Sequence, residues 1–318
     1  MDNFLKVHLR CPDCYGNFDL SSVSCSIRCV QCGTEYPIIG NRPILLSSRN
    51  ALFSQQELYD AIGNGGNNAK GWVRRMIPGI SVNLASNRML EKFGSLLSYK
   101  SNTSHVLVVG SGTQRNWLDE RFSNFTNVKL VYCDIDPKSL VDCYCDVHEL
   151  PFVDASFDGV IATAVLEHVL YPERVSTEIF RVLKSGGLFY SELPFMQQVH
   201  EGAYDFTRYT LSGHRRLFNS FTEIESGLVA GPGTALAWSL ENFFLSFFTD
   251  ARLHKIVKAA GRLSFFWIKY FDYVFKDKPQ AMDGASCTFF LGKKDKNVKV
   301  SDKQIMNKYF GAKYIQHI

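Results

Sequence analysis

The chain has 318 residues, 46% of them hydrophobic and 21% charged, which is enough to bury one large core with a smaller unit beside it and too apolar for a disordered protein. Thirty-five basic against 31 acidic residues leave a net charge of +4, too slight an excess to make a nucleic-acid polymer the main partner. The opening MDNFLKVHLRCPDC lacks the apolar core of a signal peptide, and nowhere do about 20 uncharged apolar residues run together, so a cytoplasmic protein is expected, with any membrane contact peripheral and at the inner face.

Nine cysteines in such a chain are expected as thiols or metal ligands rather than disulfides. Five lie in the first 32 residues, and four of these form two Cys-x-x-Cys knuckles, Cys11 with Cys14 and Cys29 with Cys32. Each short loop presents two thiolates on one side of a turn, and two such loops close a tetrahedral Zn²⁺ site with no open position, which describes a structural metal. A segment of about 45 residues has too little core to stand alone, so a bound zinc has a folding role there. Free thiol pairs in a loop are the other reading of the spacing, and Cys25 is a spare that could replace one ligand. From CPDC through CVQC to YPIIGNRPILL, residues 5–46 resemble the zinc-ribbon segment at the start of many bacterial methyltransferases, akin to the small ribbon proteins that partner tRNA and release-factor methyltransferases. This unit is set at residues 1–47.

Residues 48–101 read as a linker and leading helices. The linker is polar and rich in Asn and Gly near 63–68, and apolar residues then recur at helical spacing, including Met89, Leu90, Phe93 and Leu97. A core spans 102–230. HVLVVG is a buried-strand run, VKLVYCDID at 128–136 a second, FDGVIATAVL near 157 begins a third, and GGLFYSELPF at 186–195 is a fourth. Between the last two, PERVSTEIFRVLKSGG has Pro at a first helical turn and glycines at its end. Strands alternating with helices predict an α/β, Rossmann-like, doubly wound and mostly parallel sheet, with ligands at the carboxyl ends of its strands.

After the first strand, Gly110 and Gly112 either let backbone N–H groups approach a ligand at a helix start or simply make a turn. After the second, Asp134 and Asp136 stand about 22 residues beyond Gly112, where a carboxylate takes both hydroxyls of an adenosine ribose. Nicotinamide enzymes share that feature, and Asp136, before Pro137, is also placed to cap the next helix. With VVGSG before it and RVLKSGGLFY after it, the string DVHELPFVDASFDGVIATAVLEHV resembles the class I S-adenosylmethionine-dependent methyltransferases over residues 104–225. The resemblance implies a seven-stranded sheet and S-adenosylmethionine as cofactor. It implies further that Gly110 and Gly112 lie under the methionine part, that Asp134 takes the ribose hydroxyls, and that Asp146 faces the adenine amino group. Val147 and His148 would sit beside the ring, with Ala164 also at the cofactor. Gln114 stands where the family usually has another glycine, and its side chain is expected to reach the cofactor or the substrate.

Methyl transfer asks mainly for in-line alignment and exclusion of water, because the sulfonium is already an activated leaving group; a hydroxyl acceptor benefits from a base as well. The loop after the fourth strand, PFMQQVHEGAYDFTRYTLSGHRRLF, carries His200, Asp205 and Arg208 as candidate catalytic groups and Tyr204 and Tyr209 as substrate contacts. His168 joins them as a substrate contact or, with Glu167, as pocket wall. Asp205 and Arg208 could equally be an ion pair on one helical turn, and His200 a satisfied loop histidine. The pattern H-x-G-x-Y-D-x-x-R-Y resembles a subgroup associated with bacterial surface-polysaccharide gene sets. The expected function is methyl transfer to a hydroxyl of a sugar, lipid-linked glycan or similar small acceptor. Alternatives are a protein or tRNA acceptor recruited through the zinc ribbon, or a non-catalytic scaffold on the cofactor fold. The oligomeric state is left open.

FTEIESGLVAG fits a sixth strand, and its antiparallel partner comes only at 284–294. The insertion between, residues 231–283, is helical: Leu236, Leu240, Phe243, Phe244, Phe247 and Phe248 share one face, and Arg252, Lys255, Lys258 and Arg262 form a basic stripe. Two readings are compatible, a lid whose apolar face packs over the site and a membrane-surface contact through 235–276. The lysine-rich tail, 295–318, is expected to be partly mobile.

Overall fold

The computed structural model describes residues 2–20, 25–63, 77–99, 102–112, 115–295 and 299–312. The N-terminal segment runs α1 (Asn3–His8), β1 (Phe18–Asp19), β2 (Ser26–Cys29), β3 (Glu35–Ile39) and β4 (Arg42–Leu45), followed by α2 (Gln55–Gly63) and α3 (Ser86–Ser98). The central part alternates: β5 (Ser104–Val109), α4 (Arg115–Phe122), β6 (Val128–Asp134), β7 (Cys143–Cys145), β8 (Phe157–Thr163), α5 (Pro172–Val182), β9 (Leu183–Pro194), α6 (Leu211–Leu217) and β10 (Phe221–Ala230). Four helices follow, α7 (Pro232–Leu245), α8 (Ala251–Phe265), α9 (Phe271–Phe275) and α10 (Pro279–Asp283), then β11 (Cys287–Lys294) and α11 (Asp302–Asn307).

The strands form one sheet in the order β1-β2-β3-β4-β7-β6-β5-β8-β9-β11-β10. From β4 to β9 every pairing is parallel, and β11 enters antiparallel between β9 and β10. Helices cover both faces, so the strands can be apolar throughout. Along β5, Leu107 and Val109 enter one core layer and Val106 and Val108 the other, as the two-residue period of a strand requires. Helix α5 starts at Pro172 and buries Val175, Ile179 and Val182 along one stripe; in α3, Met89, Leu90, Phe93 and Leu97 do the same.

The sheet has eleven strands rather than the expected seven. The seven from β7 to β10 are present, and the cysteine-bearing segment extends them: Ile44 and Leu45 of β4 pair in parallel with Tyr144 and Cys145 of β7. Leu9 bridges Phe152, Arg10 N–H donates to Pro151 O (2.9 Å), and Phe4 stacks on His105 at 3.8 Å. The boundary at residue 47 therefore does not separate two cores. Leu5, Leu9, Cys11 and Tyr36 share a hydrophobic layer with Leu107, and the segment covers the β7 edge that would otherwise expose unpaired backbone. Strand β7 itself escaped the sequence reading because its three residues are all buried and show no alternation.

The insertion is helical as expected, but its apolar face is not packed over the site. Helix α7 turns its small side, Gly233, Thr234, Ala235 and Ala237, inward, and leaves Leu236, Phe243 and Phe244 exposed, with Phe247 and Phe248 exposed just beyond its end. Buried Asp272 of α9 caps α7 from a distance, accepting from Gly231 N–H (3.0 Å), Gly233 N–H (2.6 Å) and Thr234 N–H (3.0 Å). Two members of the basic stripe are used internally: Arg262 (2.8 Å) and Lys258 (3.5 Å) pair with buried Glu241 of α7 and fasten α8 to it. The tail is also docked where it is described. Helix α11 carries a Ser301–Gln304 capping box and buries Ile305, and Arg215 donates to Lys308 O at 2.8 Å.

Candidate functional site

The predicted groups converge at the carboxyl ends of β5, β6, β8 and β9. Gly110, directly after β5, has φ +63°, and a Cβ on it would lie 2.4 Å from Val165 Cγ2, so both backbone conformation and space demand glycine. Among the described residues, Gly112 (φ +50°) has nothing within 4 Å of where its Cβ would be, and the buried Ser111 hydroxyl beside it has no partner. An open cradle and an orphaned hydroxyl in one turn fit a polar ligand. Gln114 lies outside the described residues.

Asp134, at the end of β6, is buried under this turn. Its Oδ2 accepts from Gly112 N–H (2.7 Å) and Ser139 Oγ–H (2.9 Å), and its Oδ1 from Ile135 N–H (2.7 Å) and Asp136 N–H (3.0 Å). A carboxylate offers about four acceptor positions, so Asp134 shapes the turn, and ribose hydroxyls reach it only by exchange with one of these donors. Asp136 is exposed and accepts from Lys138 N–H (3.0 Å), but it caps no helix, contrary to expectation: a turn there leads straight into β7.

Asp146, after β7, caps a single turn of 3₁₀ helix, Val147–Glu149. Tyr171 N–H donates to His148 Nε2 (3.2 Å), so His148 carries its proton on Nδ1 and gives it to Asp146 Oδ1 (2.6 Å). Asn50 Nδ2 donates to Asp146 Oδ2 (2.7 Å). Burial raises the Asp146 pKa, but the hydrogen bonds from His148 and Asn50 outweigh it and hold the carboxyl below its ordinary value. Val147 is buried in the core layer. Asn50, and Phe53 stacked against Tyr204 at 6.4 Å, bring the linker to this end of the sheet. Neither is signalled locally, since nothing nearby ties a linker Asn to a carboxylate 96 residues on.

Ala164 turns the chain after β8 with φ +55°, uncommon for a residue with a side chain, and is exposed there. Val165 closes on Gly110, and Glu167 and His168 follow in a 3₁₀ turn. Glu167 is 1% exposed, its Oε2 has no partner among the described residues, and burial raises its pKa to about 8. His168 Nδ1–H donates to Tyr204 O (2.7 Å), which leaves Nε2 as an acceptor, 3.6 Å from Glu167 Oε1; burial lowers its pKa. The His200 ring lies edge-on to it at 4.9 Å between centroids. Glu167, His168 and His200 together place a carboxylate oxygen and two ring nitrogens within 4.8 Å of one another, close enough to share a proton or a cation.

The loop after β9 is held by the Asp205–Arg208 pair. Asp205, its side chain fully enclosed, receives two Arg208 nitrogens, one of them at 2.8 Å, and the His200 N–H (2.9 Å). The hydrogen bond from Arg208, against some desolvation, keeps Asp205 far below the usual carboxylate range. The remaining Arg208 donors go to Gln197 O (2.8 Å), Gln198 O (3.1 Å) and Thr207 O (2.8 Å). Arg208 is therefore spent on the loop, and Asp205 orients His200, whose Nδ1 lies 3.3 Å from both Asp205 Oδ2 and Gln198 O. Tyr204 is exposed at the mouth, whereas Tyr209 packs against the core. Glu192, at the end of β9, was not foreseen: Tyr190 Oη–H (2.6 Å) and Ser86 Oγ–H donate to it, and burial raises its pKa.

At the far edge, the Cys11 and Cys32 sulfurs are 3.6 Å apart and those of Cys14 and Cys29 3.5 Å, with all four within 4.8 Å. Tetrahedral thiolates at about 2.3 Å from zinc stand about 3.8 Å apart, so the set fits that ion, and Cys25 lies outside it. Two surface clefts are also formed, one of about 370 Å³ lined by Asn41, Arg115 at the start of α4 and Asp142, and one of about 180 Å³ lined by Phe195 directly after β9, Arg215 and Phe310.

No curated protein matches the chain. Among solved structures, it is similar to Haemonchus contortus phosphoethanolamine N-methyltransferase 2 in complex with S-adenosyl-L-methionine (17% identity, TM-score 0.43), covering 75% of this chain and 56% of that one. It is also similar to the [4+2]-cyclase SpnF (14%, TM-score 0.40, 76% and 92%) and to residues 961–1257 of the StiE O-MT (15%, TM-score 0.38, 69% and 77%). The chain thus spans little more than half of the Haemonchus protein, and no assignment rests on likenesses this distant. Residues 107–191, from β5 through most of β9, match the family described as a methyltransferase domain. The strand ends that carry Gly110, Asp134 and Glu167 thus lie within the stretch that matches a methyltransferase domain.

Proposed function

We propose that the protein transfers a methyl group from S-adenosylmethionine to a hydroxyl of a sugar or lipid-linked glycan. The observation that supports a hydroxyl acceptor is the histidine pair beside the cofactor turn. His168 and His200 each have Nδ1 engaged by an oxygen acceptor, so each keeps Nε2 as its basic nitrogen. When bound, the cofactor supplies an electrophilic methyl group on a sulfonium. The residues fitted to hold it are Gly110, Ser111 and Gly112, with Asp134 beneath the turn and Asp146, positioned by Asn50, at the β7 end. His200, oriented by Asp205, accepts the proton of the acceptor hydroxyl, and Arg208 holds Asp205 in place. Phe53 and Tyr204 close the mouth against water. Neutral Glu167 keeps a second negative charge away from Asp205. We further propose that the four thiolates of Cys11, Cys14, Cys29 and Cys32 hold a structural zinc.

Isothermal titration with S-adenosylmethionine and with NAD tests the cofactor, and binding of NAD alone would overturn it. Labelled cofactor incubated with glycan extracts tests the acceptor by mass spectrometry; label on protein or tRNA would replace this reading. His200→Gln is expected to lower turnover by roughly 10²-fold or more with unchanged cofactor affinity.

A further inference from the structure

We propose that the α7–α8 hairpin, with the turn and short helix after it, docks on an anionic lipid surface and holds the mouth of the site against the bilayer. The proposal rests on the methyl-transfer reading only for what docking would deliver; the surface is argued from its own exposure and charge.

Leu236 and Phe243 fall on one face of α7 and, with Phe247 just beyond its end, are each more than half exposed, and so are Ile256 of α8, Trp267 of the following turn and Val274 of α9. Single exposed apolar residues are ordinary, but a joined set is not. The rings form two groups: Phe243 lies 5.3 Å from Phe247 and 5.4 Å from Phe244, which stacks on Phe265 at 5.6 Å, and separately Trp267 lies 6.1 Å from Phe271, which stacks on Phe275 at 5.8 Å. The small side of α7 is the one packed inward, so the face pointing outward is apolar by construction.

Charge selects the occupant. Of the five acidic residues of the insertion, Glu241 is held by Arg262 and Lys258, Asp272 by the start of α7, Asp250 caps α8 and Asp283 accepts from Tyr309 Oη–H, while Asp277 is exposed between Lys276 and Lys278. Arg252, Lys255, Lys276 and Lys278 remain exposed around the apolar area. A second copy packed two-fold on this face would bring these cations toward their own equivalents, whereas anionic headgroups neutralise them. Half-exposed Trp267, Tyr270 and Tyr273 have the apolar body and polar tip suited to the headgroup level. Among the described residues no helix is long and apolar enough to cross a membrane, so the contact lies on the surface rather than through it. The root of the hairpin touches the site: Gln198 Nε2 donates to Ser239 Oγ (3.0 Å), and the His200 ring is 6.4 Å from Trp238. Docking would set the His200 loop at the surface from which a lipid-borne acceptor is presented.

The test is co-sedimentation of the full chain with vesicles of phosphatidylcholine alone and of phosphatidylcholine mixed with phosphatidylglycerol. Binding to the mixed vesicles is expected, stronger than to neutral ones and declining with salt. Phe243→Ser with Phe247→Ser should weaken it at least about tenfold, and Arg252→Glu with Lys255→Glu should remove the preference for anionic lipid. Both pairs should keep the melting temperature and cofactor-induced stabilisation of the parent protein, because the side chains replaced are exposed. The proposal is overturned if the parent protein stays in the supernatant with mixed vesicles. It is equally overturned if the parent protein is a dimer that the Phe243/Phe247 variant converts to monomer, since a second copy then covers the face. Vesicle binding is read without turnover, so failure of the methyl-transfer reading, seen as absent cofactor stabilisation, is a separate result.

Discussion

Gly110 and Gly112 share a left-handed backbone but differ in what surrounds them. A methyl group at Gly110 meets Val165 at 2.4 Å, while at Gly112 it meets nothing within 4 Å. Gly112→Ala is therefore expected to cost the cofactor-free protein only the conformational penalty, about 1–2 kcal/mol, and to weaken cofactor binding by occupying the cradle. Gly110→Ala should cost clearly more, because Val165 and the Glu167–His168 turn behind it must move. Urea denaturation of both variants, followed by titration with S-adenosylmethionine, separates the two effects. Asn50 offers a test from outside the matched domain: Asn50→Ala removes a donor from Asp146 and is expected to weaken cofactor binding several-fold without a change in fold, by calorimetry. The glycines, Asp134 and the histidines were legible because their positions after strands are local information. The engagement of Asp134 by four donors and the reach of Asn50 to Asp146 were not, since both depend on distant segments meeting.

At the scale of elements, the insertion shows how periodicity identifies a helix without saying which face is buried. Both sides of α7 are apolar or small, and the smaller side won because Gly231 and Gly233 let Asp272 approach their amides, where a Cβ would lie 2.7 and 2.8 Å from Asp272 Oδ1. Asp272→Ala leaves three buried N–H groups unsatisfied. It should destabilise the protein by about 3 kcal/mol or more in urea denaturation and make the hairpin sensitive to limited proteolysis. A full-length fold that unfolds as before with an uncut hairpin would show that the capping is dispensable. The tail follows the same logic: its lysines suggested mobility, but Ser301 and Gln304 reciprocally cap α11, and Ile305 has a place against the body.

For the whole molecule, two groups link stability to solution conditions. His214 is fully buried between Ser191 Oγ (2.7 Å) and Thr288 Oγ1 (3.1 Å), and desolvation lowers its pKa to about 3. Below about pH 6.5 the unfolded chain therefore binds a proton that the folded ring refuses. The stabilisation is fully present above that pH and is lost as pH falls toward about 3, at about 1.4 kcal/mol per pH unit. Urea midpoints at pH 7.5 and 5.5 should show the loss, and His214→Gln should flatten it. The second group is the cysteine cluster. Because β4 pairs with β7, whose end carries Asp146, the zinc site proposed for these cysteines predicts that a chelator lowers the melting temperature and weakens cofactor binding together. Cofactor at a hundredfold excess over its dissociation constant should in turn add about 2.7 kcal/mol, read as a thermal shift.

The sequence by itself determined the alternating core, the glycine turn, the cysteine pairs and the helical character of the insertion, because each is written in spacing over a few residues. Only the tertiary structure decided that the N-terminal strands complete the parallel edge, that Arg208 serves the loop rather than a substrate, and that the apolar side of α7 faces outward. Those outcomes depend on which buried donors and acceptors find partners across long separations and on which surfaces pack most closely. Neither is a property of any local stretch of the chain.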